Sequence, residues 1–259
     1  MRNYKRIGLA AILLVMIMYA STAEAGVIAW YPLHGDASAI VGDNGTLVNA
    51  PTPASDENGT ANGALNFQAD PNNSSGYSGS NTGSYVSVQG GAGLPGLQRG
   101  TIALWVNWSG MQGKAYPGSL SYGTVLARQF NGKYSNNILG ISDPDPNVGT
   151  LTWAPYSAGG PVAVGATPVG DNVWHFVAVT FDGTTNDQNL YLDGSLDGTG
   201  VATGTLNADT DAPFTIGTWY GDGATYSSST VHAVFLFDTV LSQDQIQALQ
   251  ATGVPYRHP

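Results

Sequence analysis

After its first 25 residues the chain holds a single glutamate, Glu57, in an Asn/Gly-rich stretch, and several aspartates stand in turn-like dipeptides such as Asp182-Gly183 and Asp193-Gly194. Glycosidic cleavage calls for two facing carboxylates, about 5 to 5.5 Å apart for retention or roughly 6.5 to 9.5 Å for inversion. A strand supplies such a pair when acidic residues recur at i and i+2 or i+4, and no strand-like segment here carries that spacing in interior surroundings. Asp-Gly is explained by the backbone, because the tight hairpin turns it forms need positive φ. No G-x-S-x-G elbow accompanies the four histidines, His34, His175, His232 and His258. The absence of cysteine removes a thiol nucleophile, a thiolate metal site and a disulfide framework. Arg128 is the strand arginine a lyase could use, and no Q-x-H or Y-x-K-x-G segment joins it. The chain reads as non-catalytic, with a glycan hydrolase or lyase a distant third reading.

Binding chemistry is better represented. Sugar rings stack axial C–H groups on aromatic faces while their hydroxyls seek small polar partners, so a sugar-binding loop mixes the two. Residues 153–160 (W-A-P-Y-S-A-G-G) and 219–226 (W-Y-G-D-G-A-T-Y) do this. They predict a carbohydrate site built from Trp153, Tyr156, Tyr220 and Asp222, which requires both connections to lie at one end of the domain. A hard cation is the other candidate ligand. Asp143, Asp145 and Asn147, in D-P-D-P-N, place two carboxylates and an amide on a Pro-stiffened turn; the alternative reading is a solvated loop.

The elements that must position these residues are strands. Residues 173–181 are a run of β-branched and aromatic residues with both alternating faces apolar, as in a strand covered on both sides. Leu190-Tyr191-Leu192 then alternates and ends in Asp193-Gly194, a hairpin signal. Residues 101–108 form a second such central strand. With 35 glycines, 14 prolines and 10% charged residues, the profile is of many short strands joined by tight turns, roughly 12 to 14 in all. One helix is predicted after Ser242: Ser242 and Gln245 fit a capping box, Ile246 and Leu249 give a narrow apolar stripe, and Gly253 and Pro255 end it. It is expected to close one end of the fold.

W-H-F-V-A-V-T-F-D-G (174–183) followed by L-Y-L-D-G (190–194) resembles the centre of the bacterial laminin-G-like jelly rolls, members of the concanavalin A-like lectin/glucanase superfamily. Further matches follow in family order: A-W-Y-P-L (29–33), G-A-L-N-F (63–67), Y-V-S-V (85–88), T-I-A-L-W-V (101–106), F-T-I-G (214–217) and F-L-F-D-T-V-L-S (235–242). The resemblance implies an all-β, two-sheet antiparallel jelly-roll sandwich over residues 26–259 with one short C-terminal helix. It also implies Ca²⁺ ligands in the loop after the first strand and on the last strand. Here that strand has His232-Ala233 in place of an acidic pair, and the loop has His34 where Asp is common; Asp36 and Asp238 are the nearby candidates. The implied function is a secreted lectin-like or adhesive module whose partner is a glycan or a cell-surface protein. A structural or protein-interaction domain without a sugar site is the alternative.

The N-terminus carries Arg2, Lys5 and Arg6 and then an apolar run over 7–20, too short to span a bilayer but suited to a signal peptide; Ala23-Glu24-Ala25 is an A-x-A cleavage site. Losing residues 1–25 removes three basic residues and one acidic residue, and the 8 and 18 of the whole chain become 5 and 17, a net charge of −12. Such a chain repels nucleic acid and polyanionic glycans, leaving neutral sugars, cations or proteins as partners, with no membrane in the mature form. Intact-mass measurement on exported protein is expected to start at Gly26. A mass retaining residues 1–25 contradicts this reading.

Overall fold

The computed structural model describes residues 26–68, 83–111, 121–128, 137–143, 149–155, 163–202, 212–218 and 227–253. Its strands are β1 (Val27–Tyr31), β2 (Thr46–Val48), β3 (Thr52–Ala54), β4 (Ala64–Phe67), β5 (Tyr85–Val88), β6 (Arg99–Met111), β7 (Ser121–Arg128) and β8 (Asn137–Asp143). They continue with β9 (Thr150–Pro155), β10 (Ala163–Pro168), β11 (Trp174–Asp182), β12 (Asp187–Leu192), β13 (Ser195–Val201), β14 (Phe214–Ile216) and β15 (Ser227–Phe237), before helix α1 (Gln243–Thr252). Every strand pairing is antiparallel. One sheet runs β13-β12-β11-β6-β15-β4-β3 with β1 also on β15, and the other runs β10-β9-β8-β7-β14-β5-β2. The chain is a two-sheet jelly-roll sandwich, as its strand pattern and family resemblance imply.

The doubly apolar run at β11 finds cover on both faces. Val177, Val179 and Phe181 point into the core between the sheets, with Tyr31, Phe67, Trp108, Trp153 and Phe214. Burying each such side chain contributes about 1.5–3 kcal/mol. Phe176 and Ala178 point the other way, into a second cluster with Ala103, Phe235, Leu241, Ile246 and Leu249. Helix α1 therefore lies on the outer face of the first sheet and does not close one end of the sandwich, which corrects the expectation above. Its narrow Ile246/Leu249 stripe suits a bed made shallow by Ala103, Ala178 and Ala233. The capping box is present: Ser242 Oγ accepts the Gln245 N–H at 3.3 Å, and Gln245 Oε1 accepts the Ser242 N–H at 2.8 Å.

Strands β3 and β10, small-residue and Pro-containing segments, extend the sheets beyond the strands expected from sequence. Arg99, at the start of β6, is a strand arginine besides Arg128. Strand β10 closes one side of the sandwich. It ends its own sheet and abuts β13, the end of the other, where a Cβ on Gly198 would stand 2.3 Å from the Val164 carbonyl oxygen. Asp197 Oδ1 clamps the contact, accepting the Thr167 N–H at 3.1 Å and its hydroxyl at 2.6 Å. Two edges that would otherwise offer free strand surface thereby cover each other. Gly198→Ala is expected to lower the unfolding free energy by about 1–3 kcal/mol through backbone overpacking. The loss is read as a lower urea midpoint at unchanged slope. A wild-type midpoint contradicts the close approach.

Candidate functional site

Strand β15 borders β6 along one side, but its other side serves two strands in turn. Ser229–Val231 pair with β4, and Val234–Phe237 pair with β1. At the changeover the register with β6 slips between His232 and Phe235, and Ala233 takes φ 52°. Val231 and Val234 both face the core, three residues apart where a regular strand would alternate by two. This is a β-bulge, a device that re-aims a side chain. The chain leaving β1 is tied to it by the Ala233 N–H, which donates to the Pro32 carbonyl at 3.3 Å.

The bulge turns His232 toward the loop between β3 and β4. His232 Nδ1 and Glu57 Oε2 are 2.6 Å apart, each side chain only 12% exposed. Asp56 stands beside them, also buried, and one ligand atom from each of Asp56, Glu57 and His232 lies within 4.8 Å of the others. The Asp56 carboxylate is held in place: Oδ1 accepts the Asn58 N–H at 2.9 Å and the Thr60 N–H at 2.8 Å. Oδ2 occupies the space a Cβ on Gly63 would need, at 2.5 Å. Burial pushes the Asp56 carboxyl up, but the Thr60 and Asn58 hydrogen bonds and the His232 charge outweigh it, and the net shift is downward. His34 stacks on His232, ring centroids 5.5 Å apart at 25°. This constellation escaped sequence reasoning because Glu57 and His232 are 175 residues apart and Glu57 reads locally as a solvated turn. Its standing as the single glutamate after residue 25 was the available signal.

Of the four residues expected to form a carbohydrate site, Trp153 alone lies among the described residues. Trp153 is fully buried, its indole N–H donating to Gln188 Oε1 at 2.8 Å and its ring stacked on Phe181 at 6.0 Å. It shares parity with core residue Leu151, so alternation along β9 turns it inward, away from any ligand. Tyr156, Tyr220 and Asp222 lie outside the described residues. Strands β9 and β14 are separated by three antiparallel pairings and run in opposite directions. The C-terminal ends of β9 and β14 therefore lie at opposite ends of the sheet, whereas the expected site needs its two connections at one end.

Of the calcium candidates, Asp36 and Asp238 lie wholly among the described residues. Asp36 is exposed, and its Oδ1 accepts the Ser38 N–H at 2.8 Å, a local turn. Asp238 is exposed next to Gly26, whose carbonyl accepts the Asp238 N–H at 3.0 Å. Neither joins a group of three acidic or imidazole ligands among the described residues. Asp143 is the last residue of β8, while Asp145 and Asn147 lie outside the described residues. Calcium takes roughly six to eight oxygens. Imidazoles at positions 34 and 232 do not fit that requirement.

A family model, Laminin_G_3, described as belonging to the concanavalin A-like lectin/glucanases superfamily, matches residues 79–247, more than half of the chain. The chain belongs to the Laminin_G_3 family. In Rattus norvegicus, the sushi, von Willebrand factor type A, EGF and pentraxin domain-containing protein 1 is 27% identical over 173 residues, 61% of this chain and 4% of that protein. The chain thus spans a small part of that relative's length. Among solved structures, domain 4 of AbnA, a GH43 extracellular arabinanase from Geobacillus stearothermophilus, in complex with arabinotriose, has a TM-score of 0.61 at 16% identity, covering 88% of this chain and 99% of that one. The binding domain of botulinum neurotoxin DC in complex with SialylT has a TM-score of 0.58 at 14% identity, covering 88% and 51%. A heptameric SAP-like pentraxin from Limulus polyphemus has a TM-score of 0.50 at 13% identity, covering 67% and 84%. At these identities the likeness is one of fold.

Within this Laminin_G_3 chain the two halves of the W-H…L-Y-L-D-G motif are held together by a lock that spacing alone did not show. Asp193 and Gly194 both take positive φ, 49° and 76°, as the hairpin turn demands. Asp193 then reaches back to the start of β11, its Oδ1 accepting the Phe176 N–H at 2.9 Å and its Oδ2 lying 2.9 Å from His175 Nδ1. His175 Nε2 faces Asp171 Oδ1 at 3.4 Å. The Asp193 hydrogen bond and the charges of Asp193 and Asp171 hold the His175 pKa above its ordinary value, against the pull of burial. For Asp193, burial pushes the carboxyl up but is outweighed by the His175 and Phe176 hydrogen bonds, and its pKa is lowered.

A raised histidine stabilises the fold fully below its ordinary pKa of about 6.5, and that stabilisation is lost as pH climbs through the raised folded value. The lowered Asp193 contributes above the ordinary carboxylate range and fades as pH falls through its folded value. Both act together near pH ~5.5. There, His175→Gln is expected to cost about 1 kcal/mol, after allowing for solvent at the half-exposed Asp171 and Asp193. The gap should narrow as pH rises through the raised folded value and His175 loses its proton in the folded state too. Urea midpoints across that range check it, and a gap independent of pH contradicts the lock.

Proposed function

We propose that residues 26–259 form an exported carbohydrate-binding or adhesive module without a glycan-hydrolysing centre. The observation that carries this reading is the state of the convergent carboxylates Asp56 and Glu57. They are sequence neighbours, one held by backbone N–H groups and the other on His232, so they do not face each other across a substrate-sized gap. Asp182 serves its own turn, its Oδ1 accepting the Thr184 N–H at 2.8 Å and hydroxyl at 2.6 Å. Support also comes from the fold likeness to domain 4 of AbnA, described with arabinotriose, and to a neurotoxin binding domain described with SialylT. Among the described residues no helix is long and apolar enough to cross a membrane.

With Trp153 in the core, the sugar-contacting residues we propose are Tyr220 and Asp222, in the connection after β14, with Tyr156 in a separate connection. One aromatic face and one carboxylate support weak binding, with Kd roughly micromolar to millimolar. A glycan array on the mature chain, including neutral arabino-oligosaccharides and sialylated glycans, is expected to give binding that Tyr220→Ala weakens about tenfold, the worth of one stacking contact. Reducing-sugar release from laminarin should stay at the buffer blank. An array without signal contradicts the glycan reading and favours the protein-interaction alternative, and release abolished by one Asp substitution contradicts the non-catalytic one.

A further inference from the structure

We infer that Asp56, Glu57 and His232 form a binding site for a borderline divalent transition-metal ion of the Zn²⁺ class, in the region where the family resemblance implies calcium. The inference is independent of the glycan reading. Three donors of the right kind are already gathered there: two carboxylates and an imidazole nitrogen, their ligand atoms within 4.8 Å of one another. Imidazole suits zinc, copper and nickel, whereas calcium and magnesium favour an all-oxygen shell. The substitutions that spoil the site for a hard cation thus give it the mixed nitrogen and oxygen set a softer one prefers.

Charge and geometry point the same way. The cluster is largely withdrawn from water, Asp56 being 8% exposed and the Glu57 and His232 side chains 12% each. Even with His232 protonated, two carboxylates leave it one negative charge in excess, and among the described residues no Lys or Arg forms a salt bridge with either. Buried excess charge is costly, and a divalent ion would neutralise it. The ion would lie between His232 Nδ1 and Glu57 Oε2, now 2.6 Å apart, displacing any proton they share into solvent. Zinc–ligand bonds of about 2.0–2.2 Å set neighbouring donors about 3.3–3.5 Å apart, so the pair must open by under about 1 Å. The Asp56 carboxylate is fixed by the Asn58 and Thr60 N–H groups, with Gly63 leaving it room, and solvent completes the shell.

The test uses the untagged mature chain stripped with chelator. Zn²⁺ is titrated by calorimetry and by melting temperature, with Ca²⁺ in parallel and Co²⁺ as a spectroscopic probe. The expected result is one Zn²⁺ per chain, a raised Tm, visible Co²⁺ bands that Zn²⁺ abolishes, and no shift with Ca²⁺ at the same concentration. Glu57→Gln and His232→Gln, each checked for native circular dichroism, should weaken Zn²⁺ at least tenfold and lose the Co²⁺ bands. No Zn²⁺ binding to the wild-type chain overturns the inference, leaving the His232–Glu57 contact as an ion pair only. So does Zn²⁺ affinity, or a Co²⁺ spectrum, that survives both substitutions, or a preference for Ca²⁺. Should one variant fail to fold, the other and the wild-type Co²⁺ spectrum decide.

Discussion

One strand, β15, has to satisfy more partners than regular pairing allows. It lies against β6 on one side and shares its other side between β4 and β1. Two strands cannot meet one edge end to end without a break, and the break falls at His232-Ala233, where an extra residue is absorbed and Ala233 takes positive φ. Several features follow from it. Val231 and Val234 both reach the core, Ala233 makes part of the shallow bed under α1, and the chain leaving β1 is tied to the strand through Pro32. His232 is delivered to the loop carrying Asp56 and Glu57. The cluster is thus a by-product of closing the first sheet: the seam between two pairings carries His232, and the β3–β4 loop carries the two carboxylates.

The fold was readable because its strongest signals are local. The doubly apolar β11, the Asp193-Gly194 turn and the Ser242 capping box each concern residues within a few positions of one another, and the structure keeps all three. Helix α1 was found but its place was not, since Ile246 and Leu249 say that one face is buried and nothing about what buries it. Strand β10 went unseen because Ala163–Pro168 is small and Pro-terminated, and its role lies in abutting β13 across the sandwich.

The candidate binding residues were harder to read for two reasons. Trp153 has the Gly/Pro setting of a ligand platform, but its parity with Leu151 places it in the core, so alternation along β9 outweighs the composition around it. The assumed meeting of the two aromatic connections depended on the relative directions of β9 and β14, which only the sheet order reveals. Glu57 and His232 could not be joined from sequence, since 175 residues separate them and Glu57 reads locally as a solvated turn. The Laminin_G_3 membership carries the fold and leaves this chemistry to the individual chain.

The seam at His232-Ala233 brings an imidazole up to the two carboxylates of the β3–β4 loop. X-ray diffraction at the zinc absorption edge, from crystals of the mature chain grown with Zn²⁺, tests this most directly. An anomalous peak bounded by Asp56, Glu57 and His232, with the bulge in β15 intact, is the expected result. A peak elsewhere with this cluster empty, or a β15 that passes His232 in regular register, would contradict it.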